Sequence, residues 1–318
     1  MGAFGLNASI LDSANLAWKL GLVVQNKAKS AVLLPTYGEE RRAHAVRVIE
    51  TSGKYLRFVC GSKLAVPNLH NLDDIGVTEK AKPEPETEHA TDGSNRFNGK
   101  PEQRLQTTRD EDLAFLAEFF KQNGPFLLGV DCPYGESVVV SPKAPVTGEK
   151  ETQLAPPVRV KHGVRAPNPR VCFSTGETGY LYDQLGGAPR FHLVLFLSSL
   201  MGREVRRQAG GFAAGLSRLY GRFGEAERFN VIVVIKCMPF ELEQRRLETP
   251  DLEPLWRIAT VIYDDRAPDA DAHSTWGVNH STGGLVVIRP DLWVGFTAYP
   301  SETEKVTSYF EGFLNSNP

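Results

Sequence analysis

The sequence has no Cys-x-x-Cys pair. Its 4 cysteines, Cys60, Cys132, Cys172 and Cys237, lie far apart. This argues against a zinc ribbon and a dithiol redox site, and points to reduced structural thiols in a cytoplasmic protein. Neither charge is in excess, the formal net charge being -2, so a chain built mainly to grip nucleic acid or an anionic membrane is not expected. No apolar run approaches the roughly 20 residues of a membrane span, and no basic stretch followed by an apolar one opens the chain as a signal peptide would. No two glycines are separated by a single residue and no glycine is followed by aspartate. The Gly-x-Gly-x-x-Gly loop that cradles a dinucleotide pyrophosphate is therefore missing. What remains is an ordinary globular balance, 41% hydrophobic and 23% charged over 318 residues, long enough for two domains with proper cores.

The chain changes grammar twice. From about Leu6 to Val24 it reads as a helix with apolar residues over most of its circumference (Ile10, Leu11, Ala14, Ala17, Trp18, Leu20, Leu22), hence a buried one. From about Thr36 to Val59 a second helix places Ala45, Val48, Ile49, Ser52, Leu56 and Val59 on one apolar face. Thr78 to Arg109 is rich in Pro, Glu, Lys, Asn and Gly and reads as a partly disordered loop. Glu111 to Gln122 reads as a short helix stopped by Asn123-Gly124-Pro125; Phe126–Val130 and Ser137–Val140 read as short strands. From about Val160 strands and helices alternate. RFHLVLFL (190–197) and FNVIVVIK (229–236) are continuous apolar strands suited to a parallel sheet; 202–222 and 240–256 are helical, and 259–263 is a short strand. The hairpin 285–298 turns at Arg289-Pro290-Asp291, before a last helix over 301–314. The expected fold class is α/β. Residues 160–318 form a thioredoxin-like domain, preceded by a helical piece over 1–60 and a connecting region over 61–159.

Two segments invite chemistry. Gly2-Ala3-Phe4-Gly5-Leu6-Asn7 runs directly into the first helix, so glycines permitting close backbone approach precede a helix N-terminus with its partial positive charge. The segment suits an electron-rich ring or carbonyl, and equally an ordinary helix start capped by Asn7. Asp264, Asp265, Asp269, Asp271, His273 and His280 offer carboxylates and imidazoles of the kind that bind divalent ions, but their spacing fits no metal motif, and aspartates in a Pro-containing loop serve turns and caps. No metal is therefore expected. His192 lies in an apolar strand and reads as a satisfied core residue.

The run GAFGLNASILDSANLAWKLGLV followed by LLPTYGEERRAHAVRVIE resembles the third flavin-binding segment of the FAD-dependent aromatic hydroxylases, its phenol 2-monooxygenase branch above all. Gly2, Gly5, Asn7, Asp12, Asn15, Leu16, Trp18, Lys19, Leu20, Tyr37, Glu40 and Arg41 carry the match. HGVRAPNPRVCFSTGETGYLYDQLGG, VIVVIKCMPFELE and YDDRAPDADAHSTWGVNHSTGGLVVIRPDLWVG are similar to the thioredoxin-like C-terminal domain of phenol-hydroxylase-type enzymes. The resemblance implies FAD as cofactor, with Gly2, Gly5, Leu6 and Asn7 as its contacts, and Asp12 and Asn15 as residues that fix the helix. It also implies NADPH as reductant, a phenol-type aromatic substrate and a homodimer through the C-terminal domain, with neither nucleic acid nor membrane as partner. The missing glycine motifs depart from the family pattern. They imply the C-terminal portion of such an enzyme, inactive alone, with weak or no FAD binding. The alternative is a non-catalytic dimerisation or binding protein. Ser198-Ser199-Leu200-Met201, where a thioredoxin would place its thiols, argues against disulfide exchange.

Overall fold

The computed structural model describes residues 4–60, 101–140, 155–186, 190–224, 228–267 and 270–316. The chain divides into two compact units: Met1–Asn7 with Ala45–Val130, and Ala8–His44 with Asp131–Pro318.

The helices of the first part are α1 (Phe4–Val24), α2 (Ser30–Leu33), α3 (Pro35–Cys60) and α4 (Pro101–Leu127). The burial of α1 corrects the sequence expectation. Leu6, Ile10, Leu20 and Val24 are exposed, while Asn15, Trp18, Lys19 and Leu22 are buried. Positions 15, 18, 19 and 22 form one helical face, chosen by charge pairing rather than by apolarity. The same holds in α3, where Thr36, Glu40, Arg41, His44 and Thr51 are buried and Ile49 and Leu56 exposed. In α3 the apolarity-based pattern points to the wrong face, and in α1 only Trp18 and Leu22 of the expected apolar set are buried, because the surface these helices meet carries charges.

The smaller unit holds an aromatic cluster. Phe58 stacks on Phe115 at 4.4 Å between ring centroids, and Tyr55 meets Phe119 at 5.6 Å. The α4 helix begins at Pro101, inside the segment expected to be loop, and passes through Gly124 and Pro125 to end at Leu127. Pro125 forgoes the bond that an N–H there would make to the Lys121 carbonyl, and the buried Phe126 and Leu127 hold the last turn in place. The Arg47 guanidinium lies 3.9 Å over the Phe126 ring. Phe126–Val130 is thus a helix end and turn, not a strand. Ser137–Val140 is a tight turn closed by a single bridge rather than a strand.

The larger unit is built on one seven-stranded sheet in the order β2-β1-β5-β4-β3-β6-β7. Its strands are β1 (Arg170–Phe173), β2 (Thr178–Tyr180), β3 (Phe191–Leu197), β4 (Phe229–Ile235), β5 (Thr260–Tyr263), β6 (Gly284–Ile288) and β7 (Val294–Ala298). The helices are α5 (Arg203–Phe223), α6 (Pro239–Glu248), α7 (Glu253–Ile258), α8 (Ala272–Trp276) and α9 (Thr303–Glu311). β3, β4 and β5 run parallel, while β6 is antiparallel to β3 and β7 to β6. Every residue of β3 is buried, as expected of a strand covered on both faces. One face packs Val194, Phe196, Ile232, Val234 and Ile262 against Trp276. On α5, Val205, Ala209, Phe212, Leu216, Leu219 and Phe223 form the buried stripe. The unit β3-α5-β4 followed by β6-β7-α9 is the thioredoxin-like core, and the fold class is α/β.

Candidate functional site

Gly5, Leu6 and Asn7 lie in the first turn of α1, where a helix concentrates its positive dipole end. Gly2 lies outside the described residues. A Cβ on Gly5 would meet nothing within 4 Å, so the backbone there is open to close approach, and Leu6 is 62% exposed. Asn7 does not cap the helix. It sits inside the first turn, and its Nδ2 donates to the Leu127 carbonyl at 3.0 Å.

Four of the residues that carry the motif of the first segment, Asn15, Trp18, Lys19 and Glu40, converge, in the larger unit, on a buried ionic cluster. Lys19 Nζ donates to Asn15 Oδ1 and to Glu40 Oε2, each at 2.8 Å. Asn15 Nδ2 donates to Glu40 Oε2 at 2.7 Å. From the β6–β7 turn, Arg289 donates to both oxygens of Glu40 and to both oxygens of Asp291, through Nε at 3.0 Å and Nη2 at 2.5 Å. Trp18 Nε1 completes the ring with a 3.1 Å bond to Asp291 Oδ2. Two cations meet two anions, so the buried charge balances. Burial pushes the Glu40 carboxyl up, but Arg289 and Lys19 outweigh it and hold the carboxyl down at about 2. Desolvation lowers Lys19 despite Glu40.

A second layer surrounds the cluster. Arg41 Nε donates to Asp12 Oδ1 at 2.6 Å and Nη1 to Tyr134 Oη at 3.3 Å. Tyr134 stacks on Trp293 at 5.1 Å, and burial, with Asp291 nearby, pushes its hydroxyl up to about 12. Asp12 and Asn15 therefore fix α1, through Arg41 and Glu40. Arg289, Asp291 and Tyr134 were missed by sequence reasoning. The one signal for the first two was a charged pair interrupting the apolar run VVIRPDLWV.

Asp264, Asp265, Asp271 and His273 are engaged in protein contacts. Asp264 accepts from the backbone of Ala272 and His273 and from His273 Nδ1, the last at 2.5 Å. Asp271 caps α8 by accepting from Ser274 N at 2.5 Å and pairs with Lys236. Asp265 lies 3.5 Å from Arg266; Asp269 is outside the described residues. Among the described residues no three His, Cys, Asp or Glu side chains are grouped to hold a metal ion. His192 is buried, with Nδ1 3.2 Å from Asn230 Nδ2, and burial lowers it to about 4.

Comparison with known proteins adds the following. Residues 132–318 match the family described as phenol hydroxylase, C-terminal dimerisation domain, and residues 1–52 match an FAD binding domain. An FAD-dependent monooxygenase of Aspergillus terreus is 44% identical over 317 residues, which is 99% of this chain and 40% of that protein. The chain thus spans well under half the length of that relative. The 3-(3-hydroxy-phenyl)propionate/3-hydroxycinnamic acid hydroxylase of Escherichia coli is 48% identical over 63 residues, 20% of this chain and 10% of that protein. Among solved structures, the flavin-dependent monooxygenase PieE, crystallised with FAD and substrate, superposes with a TM-score of 0.51 at 17% identity, over 97% of this chain and 44% of that one. No helix among the described residues is long and apolar enough to cross a membrane.

Proposed function

The chain belongs to the FAD-dependent aromatic hydroxylases that carry a phenol hydroxylase dimerisation domain, and from that premise we propose that it forms the C-terminal portion of a phenol-type monooxygenase. Residues 160–318 make the homodimer contacts, and the first turn of α1 meets the flavin. The carrying observation is the match of residues 1–52 to an FAD binding domain, where α1 opens at Gly5 onto free space. Gly5 lets a flat ring approach the backbone, and Leu6 and Asn7 extend the same positive helix end, which suits an anionic ring edge. FAD, when bound, supplies the oxygen-activating chemistry, with NADPH as reductant and a phenol-type ring as substrate. The chain's own share is to bind, orient and assemble. Without a glycine loop for the pyrophosphate, FAD affinity of the chain alone is weak or nil.

Two measurements on the purified chain test this reading. Light scattering is expected to report a dimer, and FAD titration, followed by flavin fluorescence, weak binding at most. Gly5→Val should remove any binding observed while leaving the circular dichroism unchanged. A monomer at micromolar concentration, or FAD binding indifferent to Gly5→Val, counts against the assignment. Phenol-dependent NADPH oxidation by the chain alone would overturn its incompleteness.

A further inference from the structure

Residues 132–318 match a dimerisation domain, and homodimer interfaces are more apolar than the surface around them. Among the described residues of this part, the large apolar side chains left exposed are Tyr180, Met201, Met238, Phe240, Leu247 and Ile258. Three of them fall on one short element. Met238 is the N-cap of α6, and Phe240 and Leu247 lie within it. Phe240 is 63% exposed and Leu247 86%. They stand two helical turns apart and therefore share a face. Leu242 is the only buried residue of the helix. Single apolar residues on a surface are ordinary, but an apolar stripe on a helix that buries so little of itself marks an interaction site.

The rest of the face is complementary to itself. Gln244, exposed between the two apolar residues, carries an amide that both donates and accepts, so it can pair with its own copy. On the other flank, Arg246 Nη1 lies 3.9 Å from Glu243 Oε1. A two-fold axis brings the same patch together from both copies. With two α6 helices antiparallel and the axis beside residues 243 and 244, Phe240 of each copy meets Leu247 of the other. Glu243 and Arg246 then recur in reverse order across the contact. Each carboxylate falls between its own guanidinium and that of the other copy.

We propose that α6 is the centre of the homodimer interface and packs antiparallel on α6 of a second copy of this chain. The inference rests on the homodimer assigned above to residues 160–318 and adds the surface that builds it. A stable dimer buries about 800 Å² per partner, more than one helix of 10 residues supplies. The helix is thus the apolar centre, and neighbouring segments form the polar rim.

The test uses the full chain with Phe240→Arg or Leu247→Asp, both at exposed positions. Light scattering over a concentration series reads the dimer, and circular dichroism checks the fold. Each variant alone should dimerise at least about tenfold more weakly than the parent, because its homodimer sets two unpaired charges against apolar side chains. An equimolar mixture of the two should recover the dimer. A mixed pair places the introduced guanidinium against the introduced carboxylate at one contact and keeps Phe240 against Leu247 at the other. Independently, Gln244→Cys should be trapped by diamide as a disulfide-linked dimer, whereas Ser217→Cys, exposed on α5, should not. A parent chain monomeric at micromolar concentration would overturn the dimer and this interface together. A dimeric parent whose variants dimerise as tightly, a mixture that stays monomeric, or equal trapping at 244 and 217 would overturn the interface alone.

Discussion

Arg289 holds two carboxylates at once, and its removal illustrates what a buried charge costs when its partner is lost. Arg289→Ala leaves Glu40 and Asp291 in the interior with Lys19 as the one remaining cation of the cluster. Breaking such a pair on one side costs about 3–5 kcal/mol, to be read from urea denaturation of the full chain. Arg289→Lys should recover little, since an ammonium cannot serve four carboxylate oxygens as the planar fork does. Because the cluster is buried, the loss should be the same at low salt and at about 1 M NaCl. Glu40 sets an acid limit. Its carboxyl titrates near 2 in the fold against an ordinary value of 4.5. A carboxyl depressed in this way stabilises the fold above its unfolded pKa and loses that contribution as pH falls through the folded one. The relevant window is therefore between pH 4.5 and about 2, and the contribution is on the order of 3 kcal/mol. Denaturation midpoints measured down this range should fall in the parent chain and stay flatter in Glu40→Gln.

Helix on helix, α5 and α9 approach closely at Gly215. A Cβ on Gly215 would lie 2.0 Å from Thr303 Oγ1 and 2.5 Å from its Cβ. Gly215→Ala should therefore cost about 1–3 kcal/mol through overpacking, visible as a lower calorimetric midpoint. Adding Thr303→Ala should return most of it. At this scale the sequence was a good guide wherever burial and apolarity coincide. FNVIVVI announced β4 because a strand covered on both faces needs nothing but apolar, largely β-branched residues, and α5 showed its stripe plainly. It misled in α1 and α3, where Asn15, Lys19 and Glu40 are inside and Ile10, Ile49 and Leu56 outside. Periodicity detects oil, not paired charge. The same limit hid Arg289 and Asp291, whose partners are on helices far away in sequence. It also mistook Pro125 for a helix stop: the proline costs one backbone bond, and burial of Phe126 and Leu127 keeps the last turn helical.

At the scale of the whole larger unit, Asn15, Trp18, Lys19 and Glu40 and the C-terminal sheet are one mechanical object. Asn15, Trp18 and Glu40 are bound to the β6–β7 turn, and Lys19 is held by Asn15 and Glu40, so a lesion at Arg289 should loosen α1 as well as the sheet. Hydrogen exchange along 8–22 is expected to speed up in Arg289→Ala beyond its rise in β4. Equal acceleration in both would mean global unfolding alone. The termini of this unit are tied in the same way. Lys29 N donates to the Phe313 carbonyl at 2.8 Å and Asn315 N to the Lys27 carbonyl at 3.0 Å. These contacts impose an order in time. Glu40 leaves the ribosome 249 residues before its partner Arg289, a delay of roughly 12–50 s at about 5–20 residues per second. Throughout that interval Lys19 and Glu40 have each other but not the guanidinium, and the Ala28 bridge to Leu314 has no second strand. The opening helices of this unit are thus made first and locked last, and their nascent state is the stretch of the protein's life in which a chaperone has most to do.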